Sequence, residues 1–115
     1  MVRIRQHGPD NELFDMALFL PHIEKLLQPD AWQISVEWCI GESSEAIATM
    51  SKEAIIPHHK FIEICAGLHQ TIDGTYSCLK SSQIIAELEA VDSSFWNIHG
   101  PVHFQAQMLA LFGPA

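Results

Sequence analysis

The stretch AWQISVEWCIG, residues 31–41, alternates apolar and polar side chains without a break. Trp32, Ile34, Val36, Trp38 and Ile40 fall on one side of an extended chain, with Gln33, Ser35, Glu37 and Cys39 on the other. A sustained period of two, with aromatic and β-branched content, defeats an amphipathic helix and predicts a strand with one buried face. Such a strand needs partners for its backbone and a second layer over its apolar side.

The rest of the chain supplies both. VRIR at residues 2–5 alternates and reads as a short edge strand. GESS is expected to turn the chain into EAIATM, a weaker second strand of a hairpin. Ile72-Asp73-Gly74-Thr75 carries the Asp-Gly pair that suits a type I′ turn. For residues 83–91 composition leaves strand or helix open. The alternation of Ile84, Ala86, Leu88 and Ala90 against Glu87 and Glu89 favours a long strand, bent near Asp92-Ser93-Ser94.

Helices are expected after Pro9-Asp10, after Pro57 and after Pro101. In the first, Leu13, Phe14, Met16, Leu18, Phe19 and Leu20 leave almost no polar face, so it is buried or paired with another molecule. Pro21 kinks it or begins a second helix, HIEKLL. The second carries Phe61, Ile64, Cys65 and Leu68, with Gly67 marking its end; the third carries Phe104, Met108, Leu109, Leu111 and Phe112, closed by Gly113-Pro114. The expected fold is α+β: one globular domain over residues 1–115, with an antiparallel sheet of four or five strands and helices packed on one face. Surface scaling gives such a chain a folded area of roughly 6,300 Å², with about two-thirds of the unfolded surface buried.

Charge narrows the functions. Fourteen acidic against six basic residues give a net charge of −8, and only Lys80 is basic after Lys60. That field repels nucleic acid and anionic membranes, and it steers cationic partners. MVRIRQHGPD has no apolar segment behind its charges, and MALFL is far too short to span a bilayer, so a cytoplasmic protein is expected.

The His-rich segment PHHKFIEICAGLH, residues 57–69, invites a metal reading. On a helix His58, Ile62, Cys65 and His69 share a face, but the rise separates His58 from His69 by about 16 Å and from Cys65 by about 10 Å. One zinc ion, with bonds of about 2.0–2.3 Å, cannot collect them. His59 and Glu63 can meet, yet two side chains do not make a site. His99 and His103 are separated by Gly100-Pro101, which places His99 outside the last helix. Cys39, Cys65 and Cys78 show no CxxC spacing, and no phosphate-binding loop or nucleophile elbow occurs, so no cofactor and no enzymatic activity are expected.

What remains is a surface. The candidate partner-binding residues are Glu37, Glu42, Glu45, Asp73, Glu87, Glu89 and Asp92, with Trp96 as the aromatic anchor beside them. Acids around an aromatic residue suit a basic protein partner: charge for steering, the ring for binding energy. WQISVEWCIG, the following DGTYSCL and VDSSFWNIHGP together resemble the general style of small bacterial immunity proteins. That resemblance implies an acidic, cofactor-free, cytoplasmic inhibitor that occludes the site of a basic toxin domain, often a nuclease. Two alternatives stand beside it: a small cofactor-independent or metal-assisted enzyme using His69, His99 or His103, and a homo-oligomeric structural or regulatory subunit, a homodimer through Phe14, Leu18 and Phe19.

Overall fold

The computed structural model describes residues 1–115. Six strands form one antiparallel sheet: β1 (Val2–Arg5), β2 (Ala31–Ile40), β3 (Ile56–Pro57), β4 (Gln70–Lys80), β5 (Gln83–Val91) and β6 (Phe95–His99), in the order β1-β6-β5-β4-β2-β3. Four helices accompany it: α1 (Met16–Leu27), α2 (Ser44–Ala48), α3 (His58–Ala66) and α4 (Val102–Phe112). The α+β expectation holds, with six strands in place of four or five.

Alternation builds the core. Trp32 and Ile34 of β2, Tyr76 and Cys78 of β4, Ala86, Leu88 and Ala90 of β5, Trp96 and Ile98 of β6, and Ile4 of β1 all face the same way and are buried. Phe19, Ile23 and Leu27 of α1, Ile47 of α2, Phe61 and Cys65 of α3, and Phe104 and Met108 of α4 join them in one cluster. All helices therefore cover one face. Rings set the contacts: Trp32 stacks on Phe61 at 4.2 Å between centroids, and Phe19 meets Trp96 edge-on at 5.1 Å. The Trp96 indole donates to the Phe14 carbonyl at 3.0 Å, so this ring is both packed and hydrogen-bonded.

The alternation of β2 fails at one point. Val36 pairs with Gly74, but Trp38 pairs with Asp73, which leaves Glu37 as an extra residue; a second shift on β4, at Ile72, restores the register at Cys39↔Thr71. An extra residue turns every later side chain to the opposite face. Cys39 consequently points toward the core side, and Trp38 and Ile40, expected inside, are 61% and 44% exposed. Gly74 is what the bulge packs against: a Cβ there would lie 2.8 Å from the Val36 Cα.

Three further expectations are corrected. EAIATM is not a strand; residues 44–48 form the short helix α2, in which Glu45 and the alanines favour helix and Ile47 enters the core. Asp73-Gly74 is not a turn but lies inside β4. The hairpin turns fall instead at Ser81-Ser82 (φ 50° and 64°), between the paired Lys80 and Gln83, and at Asp92-Ser93 (φ 49° and 51°). The second turn is held by Asp73, whose carboxylate accepts the Asp92 N–H at 2.8 Å. The ambiguous residues 83–91 are strand throughout, and the bend expected near Asp92 is this turn.

The first helix starts later than expected. Pro9–Asn11 form a 3-10 turn, and α1 begins at Met16 with Asp15 as its N-cap; Pro21 sits within one continuous helix. Phe14 and Phe19 pack on Phe112 of α4 at 5.0 and 4.9 Å and belong to the core. Of the three residues expected to form a homodimer contact, only Leu18 faces outward, at 47% exposure. At the far edge, β1 is covered by the C-terminal tail: Arg5 N–H donates to Gly113 at 3.1 Å, and Ala115 N–H to Arg3 at 3.2 Å.

Candidate interaction surface

The face opposite the helices is polar and open. Register places its side chains in rows: Gln33, Ser77, Glu87 and His99 in one, and Ser35, Thr75, Glu89, Asn97 and Arg3 in the next. Rows are about 7 Å apart along the strands, and neighbours about 4.8 Å apart across them. Part of this charge is answered internally. Asn97 Nδ2 donates to Glu89 Oε1 at 2.9 Å, Arg3 Nε donates to Asn97 Oδ1 at 3.1 Å, and Ser77 Oγ donates to Glu87 Oε2 at 3.3 Å.

Glu87 and Glu89 thus sit near the centre of the open face, and the other acids gather at one end of the sheet. Glu37 is the extra residue of the β2 bulge, and Asp73 is paired opposite Trp38. Asp92 is tied to Asp73 through the turn. Glu45 of α2 lines a groove of about 270 Å³ together with Val36, Glu37, Trp38, Cys39, Ser44 and Ala48. Glu42 stands apart from these, over the C-terminal end of α3 beside Gly67 and His69. The ion pair Lys60–Glu63 and the contact of His58 with Glu24 involve none of these acids.

Trp96 is the exception among the expected site residues. It is fully buried, so the aromatic anchor expected there is not at the surface. The tryptophan that does reach the surface is Trp38, which the alternation had assigned to the core. The available signal was Gly74: a glycine inside a strand often marks a bulge or a close backbone approach.

Trp32 Nε1 donates to His58 Nδ1 at 2.9 Å, so the ring carries its proton on Nε2, which lies 3.6 Å from Glu24 Oε1. This histidine borders the apolar stripe as a packing element. His69, His99 and His103 lie on different elements, and no three His, Cys, Asp or Glu side chains converge as metal ligands would. Burial raises all three thiols above their ordinary pKa, Cys78 to about 12, which works against a thiolate nucleophile. Asp15 is buried as well, and burial raises its pKa despite hydrogen bonds from Met16 N (2.8 Å), Thr71 N (2.7 Å) and Thr71 Oγ (3.0 Å). Thr71 Oγ is also 2.8 Å from the Tyr76 hydroxyl. These bonds join the start of α1 to the start of β4.

No family model matches this chain, and neither a curated protein nor a solved structure matches it significantly. No helix is long and apolar enough to cross a membrane.

Proposed function

We propose that this domain is a small acidic protein-binding inhibitor, immunity-like, which neutralises a basic partner such as a toxin domain by occluding the partner's site. The observation that carries this reading is Trp38: a tryptophan 61% exposed on a bulge, beside Glu37, Glu45 and Asp73. Tryptophan is enriched among residues that dominate binding energy, and unpaired carboxylates around it steer a cationic surface and orient its approach. Size agrees. The molecule measures 32 × 29 × 19 Å, and its broad face is of the order of the ~800 Å² per partner found in stable complexes.

The test begins with the partner. A pull-down at low and moderate salt isolates it, and calorimetry then compares the wild type with Glu37→Lys and Glu87→Lys. Each reversal is expected to weaken binding about ten-fold or more and to flatten its dependence on salt. Unchanged affinity and salt dependence in both variants would sink the proposal.

A further inference from the structure

The groove beside Trp38 has a chemistry more specific than general negative charge. Its lining combines the apolar residues Val36, Trp38, Cys39 and Ala48 with the acidic Glu37 and Glu45 and the hydroxyl-bearing Ser44. No basic side chain lines it, and neither carboxylate takes part in an ion pair within the protein. At about 270 Å³ it falls below the ~300–1,000 Å³ of sites for whole small molecules, and it suits a single long side chain.

We infer that this groove is a pocket for one arginine side chain of the basic partner. The guanidinium stacks on the Trp38 indole and donates to Glu37 and Glu45, and its methylene stem lies along Val36 and Ala48. Arginine fits better than lysine. A planar, weakly hydrated guanidinium stacks on an aromatic face and spreads its donors toward two acceptors at once, whereas an ammonium is a compact, strongly hydrated point charge. The position also explains the bulge in functional terms. Without the extra residue Glu37, Trp38 would point into the core, and the groove would lose its aromatic wall. The inference rests on the proposed binding of a basic partner, and it adds which side chain is read and where.

The test uses N-acetyl-arginine amide as the probe, titrated into the isotope-labelled protein and followed by nuclear magnetic resonance. N-acetyl-citrulline amide, of the same shape but uncharged, and N-acetyl-lysine amide serve as comparators. Saturable shifts are expected at the Trp38 indole N–H and at the backbone amides of Glu37, Ser44 and Glu45, for arginine above lysine and not for citrulline. Glu37→Gln and Glu45→Gln should each weaken binding about two- to five-fold, the range of exposed ion pairs. Trp38→Ala should abolish the shifts, and Trp38→Phe, which keeps a ring, should retain part of them.

Three results would overturn the inference: shifts that map elsewhere, citrulline acting like arginine, or no saturable shift up to roughly 100 mM. Its failure separates from failure of the wider reading. If arginine does not bind but Glu87→Lys still weakens the partner, only the pocket is lost; if neither responds, the acidic interface falls with it.

Discussion

Replacing Trp38 and Trp96 one at a time by alanine tests the β2 bulge directly. Trp96 is fully buried, and its indole satisfies the Phe14 carbonyl. Truncating a buried tryptophan costs about 3–5 kcal/mol, and stranding a buried acceptor adds about 1–3 kcal/mol. A loss near 5 kcal/mol is therefore expected, a large share of the ~5–15 kcal/mol that holds an ordinary domain together. Trp38, by contrast, has only about two-fifths of its surface covered. With at most ~250 Å² to bury and about 25 cal/mol per Å², its contacts are worth no more than about 2 kcal/mol, and alanine keeps part of that.

The two variants should thus differ by about 3 kcal/mol in urea unfolding followed by circular dichroism, a signal that does not depend on the residue removed. If Trp96→Ala fails to fold, Trp96→Phe keeps a ring, loses the indole bond and serves in its place. Acrylamide quenching of fluorescence gives a second check, since removing Trp38 should remove most of the quenchable emission. Equal destabilisation by the two alanine variants, or unaltered quenching without Trp38, would mean that Trp38 faces inward and that the bulge is absent.

Other outcomes follow from the same geometry. Gly74→Val should destabilise by several kcal/mol and disturb amide resonances around Glu37 and Trp38, because its Cβ meets the Val36 backbone at 2.8 Å. Replacing Ser81-Ser82 by Asn-Gly should raise the urea midpoint by the equivalent of about 1 kcal/mol, since both serines hold left-handed φ angles that Asn and Gly adopt at lower cost. Asp15 sets a pH dependence. Burial raises its pKa in the folded state, so the folded protein binds more protons than the unfolded chain over a window that opens at the ordinary carboxylate range and extends upward. Stability contributed by this group is full below that window and is lost as pH rises through it. Relative to Asp15→Asn, the wild type should become less stable between acidic and neutral pH, as measured by urea unfolding across that range.

Sequence reasoning reached the layers but missed a pairwise detail. The apolar face of Trp32, Ile34 and Val36, the alternation of β5 and the proline-led starts of α3 and α4 are local properties, and local side-chain periodicity reveals them. The bulge is not local. β2 alternates perfectly by itself, and the reversal at Trp38 arises only because Gly74 and Asp73 of another strand leave Glu37 unmatched. The same holds for Asp73-Gly74, a strong turn signal in isolation that the longer pairing of β4 with β2 and β5 overrides. The acids of the candidate surface were legible from composition and spacing. Its aromatic member was not, because which tryptophan reaches solvent depends on a register that two strands settle together.

The tail that covers β1 has a mechanical consequence. Ile4 bridges Pro114 in antiparallel fashion, and Ala115 is bonded to Arg3, so Met1 and Ala115 leave the sheet side by side. A load pulling these two residues apart acts across the hydrogen bonds rather than along the strands, and breaks them one after another like a zipper. Such a domain should yield at its β1 edge under small forces when held by its ends.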